Sequence, residues 1–142
     1  MFLGEYELRI DPKGRLAIPA KFRDEFSGRL VVSRGFDRCL NVHTLAEWQQ
    51  AAEALASLPA TQRNPRRLAR FTFSGAFDLE PDRQGRVVLP LALRQYAGIN
   101  DHVVLVGVYT HLQVWATDLW AAEKQYVAEH AADIAEAVQV ER

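Results

Sequence analysis

A mixed α+β, β-rich fold assembled from two copies of one unit is what this 142-residue sequence predicts. Three observations predict it. Residues 4–48 read GEYELRIDPKGRLAIPAKFRDEF…LVVSRGFDRCLNVHTLAEW, and residues 75–120 repeat the pattern as GAFDLEPDRQGRVVLPLALRQYA…VVLVGVYTHLQVWATDLW. Short alternating segments bounded by turn residues occur in both copies, and each copy closes on a segment with helical spacing. Gly4, Tyr6, Leu8, Asp11, Gly14, Arg15, Pro19 and Arg23 align with Gly75, Phe77, Leu79, Asp82, Gly85, Arg86, Pro90 and Arg94. One residue of slippage then brings Gly35 onto Gly107, Leu40 onto Leu112, Val42 onto Val114 and Trp48 onto Trp120. A unit this small buries too little apolar surface alone, so the copies should pack as a pseudo-twofold pair. Whatever one copy binds is then presented twice.

Glu5 to Ile10 alternates polar and apolar residues, the period of a half-buried strand. Asp11-Pro12-Lys13-Gly14 suits a type I turn, and Arg15 to Ile18 resumes the strand, so residues 5–18 are expected to form a β-hairpin. The second copy keeps Asp82 and Gly85, and Gly is the residue such a turn requires of the backbone. Pro19 and Pro90 should stop the strand and enter the first turn of short helices over 19–26 and 90–97. A second strand pair follows in each copy, at 30–33 with 40–43 and at 103–106 with 112–115. Thr44-Leu45-Ala46-Glu47 reads as a capping box opening a helix whose apolar face is Leu45, Trp48, Ala52 and Leu55. The second copy starts its helix near Thr117 or Asp118, with a stripe through Trp120, Val127, Ala131 and Ile134. Trp48 and Trp120 are read as core anchors. Between the copies, Asn64 as N-cap and Pro65 as first helical residue mark a connector helix. Its Arg63, Arg66, Arg67 and Arg70 share one face, without an acidic neighbour, which suits contact with an anion or a solvated linker.

Net charge is −1, but it is unevenly distributed. Up to Asn100 there are 15 basic residues against 11 acids, a balance of +4; beyond it two face seven, a balance of −5. All but three basic residues are arginine, the side chain that forks onto phosphate or guanine. Solvated surface arginines would give the same composition. Cys39 is the one cysteine, so no intramolecular disulfide is possible, and no apolar run approaches the roughly 20 residues of a membrane span. With neither the basic region nor the apolar stretch of a signal peptide at the start, a cytosolic, soluble protein is expected.

The strongest functional pattern is Asp-x-x-Gly-Arg, once at Asp11…Arg15 and again at Asp82…Arg86. As a surface ion pair alone it would contribute only about 0–1 kcal/mol. The alternative is that Asp braces the loop with its Gly (Asp11 with Gly14, Asp82 with Gly85) so that Arg projects in one direction. Lys13 and Arg83 stand beside the arginines, and Arg23 and Arg94 add charge behind them.

On the paired Asp-x-x-Gly-Arg segments, the Asn64-Pro65-Arg66-Arg67 connector and Phe73-Ser74-Gly75-Ala76, the whole chain resembles the MraZ family of transcriptional regulators, within the AbrB/SpoVT group of swapped-hairpin DNA-binding folds. The resemblance implies two tandem AbrB-like repeats, residues 4–60 and 75–142, joined by a basic connector over 61–74. It implies that they intertwine into a swapped-hairpin barrel with flanking helices. It further implies a homo-oligomeric ring that binds direct repeats in double-stranded DNA, in the promoter of the protein's own operon of cell-division and cell-wall genes, and so a nucleoid location. Arg15 and Arg86 match the DNA-contact positions, with Asp11 and Asp82 as braces, Lys13 and Arg83 as helpers, and Arg23, Arg94, Arg66, Arg67 and Arg70 as possible phosphate contacts. Pro81 precedes Asp82 whereas Pro12 follows Asp11, so the two loops could differ in shape. The acidic helix over 118–138 and the basic connector offer complementary faces for assembly.

An enzyme is not expected. His43, His102, His111 and His130 share no metal-ligand spacing, Ser33, Ser74 and Cys39 lack a nucleophile context, and no Gly-rich phosphate loop occurs. No cofactor, metal or small-molecule substrate is therefore anticipated. The rival is a protein-binding scaffold whose Arg tips dock acidic partners.

Overall fold

The alternation of the first segment is realised in space: Tyr6 and Leu8 turn inward while Glu5, Glu7 and Arg9 face solvent. The computed structural model describes residues 1–138 and holds eight strands and five helices among them. The strands are β1 (Glu5–Arg9), β2 (Arg15–Ala17), β3 (Leu30–Arg34), β4 (Leu40–Thr44), β5 (Phe77–Leu79), β6 (Arg86–Val88), β7 (His102–Gly107) and β8 (Leu112–Ala116). The helices are α1 (Ala20–Phe26), α2 (Leu45–Ala56), α3 (Arg63–Ser74), α4 (Leu91–Ala97) and α5 (Thr117–Ala137). The mixed α+β class expected from the sequence is present.

The expected hairpin over 5–18 is not. Its turn forms, but a single bridge, Ile10 to Leu16, joins the arms before they part. β1 runs on to a five-residue ladder with β7, and β2 pairs with β6. Because both repeats carry the same strand pattern, each arm finds a longer ladder in the other copy than across its own turn. The result is a six-stranded antiparallel sheet, β1-β7-β8-β4-β3-β5, and a separate ribbon, β2-β6. Exchanging the repeats reverses that order onto itself. Of the six ladders, only β3–β4 and β7–β8 stay within one repeat. The sheet ends in β1 and β5, so no closed barrel forms among the described residues.

One sheet face packs on the ribbon and on α1 and α4. Leu30, Val32, Leu105 and Val114 meet Leu16, Ile18, Leu89, Phe22 and Leu93 there in one core. The opposite face carries Val104, Val106 and Trp115 beneath Leu119 and Trp120, with Cys39 buried among them. Burial pushes the Cys39 thiol up to about 11, which keeps it protonated and unreactive. Trp48 meets His43 and Phe73 on the same side. The two tryptophans thus pin helices to the outer sheet face and do not fill the main core.

Several boundaries differ from expectation for local reasons. Pro19 and Pro90 are N-caps with ψ of 138° and 139°, so α1 and α4 start one residue later. Gln62 occupies the N-cap position of α3 without a side-chain bond, which places Asn64 inside the helix and Pro65 in a first turn where its missing N–H costs nothing. The alignment of Gly35 with Gly107 also fails. Gly107 pairs with Leu112 as Arg34 pairs with Leu40, so the second copy gains two residues before its strand pair and loses one in the loop between those strands. Thr44 does cap α2, accepting from the Glu47 amide at 3.2 Å. In α5 the expected stripe packs only at Trp120; Val127, Ala131 and Ile134 stand in solvent.

His43 is buried with no partner for Nδ1, and its ring stacks on His111 at 4.2 Å. Burial first, then the neighbouring His111, pushes its pKa down to about 4. The unfolded chain binds that proton below pH 6.5 while the folded chain resists it. Stability should therefore fall as pH drops from 6.5 to about 4, by up to about 3 kcal/mol. Urea melts at pH 7 and 4.5 check this; His43→Asn should flatten the difference.

Candidate nucleic-acid interface

Each Asp-x-x-Gly-Arg segment folds into the same braced turn. Gly14 N–H donates to the Asp11 carbonyl and Gly85 N–H to the Asp82 carbonyl, both at 2.9 Å. Asp11 Oδ1 accepts the amides of Lys13 and Arg15 at 2.9 Å, and Asp82 Oδ1 accepts those of Gln84 and Arg86 at 2.9 Å. The second carboxylate oxygen takes the Nε–H of the same arginine, at 2.8 Å for Arg86. Pro12 and Pro81 therefore leave the two geometries alike. Lys13 is matched in the turn by Gln84, so Arg83 occupies the place of Pro12 and the two helpers flank their arginines differently.

The Arg15 and Arg86 amides, ahead of the guanidinium groups and the remaining amides, hold the Asp11 and Asp82 carboxyls below the usual carboxylate range. With Nε held, the two Nη groups of Arg15 and Arg86 make no hydrogen bond to any described residue. Both side chains are about 30% exposed, fixed at the base and open at the fork.

The ribbon sets the arginines side by side. Arg15 pairs with Val88, Leu16 with Val87 and Ala17 with Arg86. Strand alternation sends Leu16 and Val87 into the core and leaves Arg15, Ala17, Arg86 and Val88 on the outer face. The two arginines lie diagonally, about 7 Å apart along the ribbon and about 5 Å across it. Val88, directly across from Arg15, is 53% exposed on this face. Sequence reading missed Ala17 and Val88, although each stands two residues after its arginine and so shares its side of the strand.

The ribbon also locks each turn to the other repeat. Ile18 N–H donates to the Gly85 carbonyl and Leu89 N–H to the Gly14 carbonyl, both at 2.9 Å. Gly14 (φ +82°) and Gly85 (φ +75°) adopt the left-handed region that favours glycine. A Cβ on Gly14 would stand 3.0 Å from the Arg94 guanidinium, and one on Gly85 would strike Arg23. Arg23 and Arg94 anchor their Nε–H on the Ile18 and Leu89 carbonyls and lie beneath the opposite turn. On α3, Arg66 donates to the Ala60 carbonyl at 2.9 Å and Arg67 borders an apolar groove, while Arg63 and Arg70 are exposed.

No group of three or more potential metal ligands occurs among the described residues, and no described helix is long and apolar enough to cross a membrane. The family described as "MraZ protein, putative antitoxin-like" matches residues 1–71 and again 72–141. Relatives named transcriptional regulator MraZ include that of Syntrophomonas wolfei, 46% identical over 96% of this chain and 95% of its own. That of Pelotomaculum thermopropionicum is 44% identical over 97% and 95%, and that of Roseiflexus castenholzii 48% identical over 84% of both. With a braced turn and ribbon strand inside each matched range, the chain belongs to the MraZ family.

Proposed function

We propose that this protein is a sequence-specific DNA-binding transcriptional regulator and not an enzyme. The observation that carries this reading is the outer face of the ribbon, where two aspartate-braced arginines direct open Nη forks to the same side. The major groove of double-stranded DNA is wide enough for a two-stranded ribbon, and an arginine fork matches the O6 and N7 of guanine. Ala17 and Val88, between the arginines, suit the thymine methyl group. Lys13 and Arg83 reach flanking phosphates, Arg23 and Arg94 support the turns, and Arg66, Arg67 and Arg70 form a second basic surface. The names of the relatives support a role in transcription. Family resemblance supports direct repeats upstream of the protein's own operon of cell-division and cell-wall genes, a homo-oligomeric ring, and a cytoplasmic, nucleoid-associated location.

A mobility shift with the DNA immediately upstream of the coding sequence, competed by shuffled duplex, tests the reading. Preference for the upstream duplex is expected; equal competition by shuffled DNA overturns it. Log affinity should fall with log salt by about 0.9 per phosphate neutralised. Replacing Arg66, Arg67 and Arg70 by alanine should flatten that slope if α3 faces DNA, and an unchanged slope assigns phosphate contact to the ribbon side. Inserting half a helical turn between operator repeats should cost much of the binding.

A further inference from the structure

We propose that Gln84 selects an adenine at one end of the ribbon's binding site, an inference that rests on the DNA reading and gives that site a direction. The two braced turns share the same backbone bonds, so the difference between the tips lies in the side chains they hold out. Lys13 and Gln84 fill the same position. Each gives its amide N–H to the bracing aspartate at 2.9 Å, two residues ahead of the arginine. Lys13, Arg15 and Ala17 follow one arm of the outer face, and Gln84, Arg86 and Val88 follow the other in the opposite direction. Lys13 therefore stands beyond Arg15 at one end of the ribbon, and Gln84 beyond Arg86 at the other.

The tips carry the same charge from different places. In the first turn the cation is Lys13; in the second it is Arg83, which stands where the first has Pro12. Arg83 thus supplies the phosphate contact at its own end and leaves position 84 neutral. The Gln84 side chain is exposed and makes no hydrogen bond to any described residue. A lysine attracts a phosphate whatever base lies beside it. The uncharged amide offers instead one donor, Nε2–H, and one acceptor, Oε1, held in a plane. Adenine presents the complementary pair on its major-groove edge, the N7 acceptor and the N6 donor. Guanine offers two acceptors there, and cytosine or thymine a single polar group, so each satisfies only half of the amide. Asp82 Oδ1 fixes the backbone at residues 84 and 86 together, which sets the amide and the Arg86 fork in one relation to the groove. No such reader exists at the Lys13 end, and the ribbon tells its two ends apart.

The test is a mobility-shift competition with the full-length protein and duplexes carrying one upstream repeat, each base pair substituted in turn. The wild-type chain should prefer adenine at one position outside the guanines read by the arginines, by about 5- to 150-fold, the range of one bidentate contact. Gln84→Ala should erase that preference and leave the rest of the ranking in place. Gln84→Lys should erase it too, while steepening the salt slope by about 0.9 for the added phosphate contact. Lys13→Gln should create a second adenine preference at the mirror position. The turn holds residue 84 by its backbone amide alone, so the variants should keep the wild-type circular dichroism. A Gln84→Ala chain that keeps the wild-type ranking at every position overturns the proposal, as does a wild-type ranking symmetric about the two guanines. Equal competition by shuffled duplex would defeat the DNA reading itself. Guanine preferences that vanish in Arg15→Ala and Arg86→Ala, with no adenine preference in the wild type, would defeat this assignment alone.

Discussion

Arg15→Ala and Arg86→Ala should each weaken specific DNA binding by about 1–3 kcal/mol, the discrimination carried by one arginine–base fork. Affinity loss should come without loss of fold. Asp11 and Asp82 would still accept two backbone amides each, so the turns persist after the guanidinium is gone. Arg→Lys should not rescue binding, since lysine has no fork and no Nε–H to pin against the aspartate. Gly14→Val should do worse than Arg15→Ala, because it forces a β-branched residue into φ +82° and against Arg94. Affinity measured beside circular dichroism decides the matter; unchanged binding in both arginine variants with intact spectra rejects the assignment.

Separating the repeats should abolish the native monomer. A fragment of residues 1–60 keeps β3–β4 but loses β7 against β1, β6 against β2, β5 against β3 and β8 against β4. Every one of its strands then exposes an unpaired edge, and Leu16, Leu30 and Leu40, each fully buried in the whole chain, lose partners across the core. The fragment should unfold, aggregate, or dimerise by taking its missing strands from a second copy. Sedimentation and thermal melting distinguish these; a monomer with a cooperative transition would show that each repeat folds by itself.

Local chemistry made much of this fold legible in the sequence. Turn residues placed the braced tips, alternation placed the strands, and the Thr44 cap placed α2. Partner choice was not legible. Residues 5–18 carry all the marks of a hairpin, and nothing within them states that β1 belongs to β7 and β2 to β6. That depends on a second copy of the same pattern being available, a property of the pair and not of the segment. The outward stance of Ala17 and Val88 was implicit in the alternation but became visible only once the ribbon register was known. The exposed stripe of α5 misled in the other direction, since helical spacing marks an apolar face without saying whether the same chain covers it.

Seating each turn on an arginine from the opposite repeat crosses the genetics of the two tips. A lesion at Arg94 would be felt first by Gly14, and so at Arg15 in the first repeat. One at Arg23 would surface through Gly85 at Arg86. Suppressors of a defect in one copy should accordingly map to the other, and a repeat transplanted from a relative would arrive without the support its own tip requires. Two duplicated halves that began as interchangeable become bound to inherit changes together.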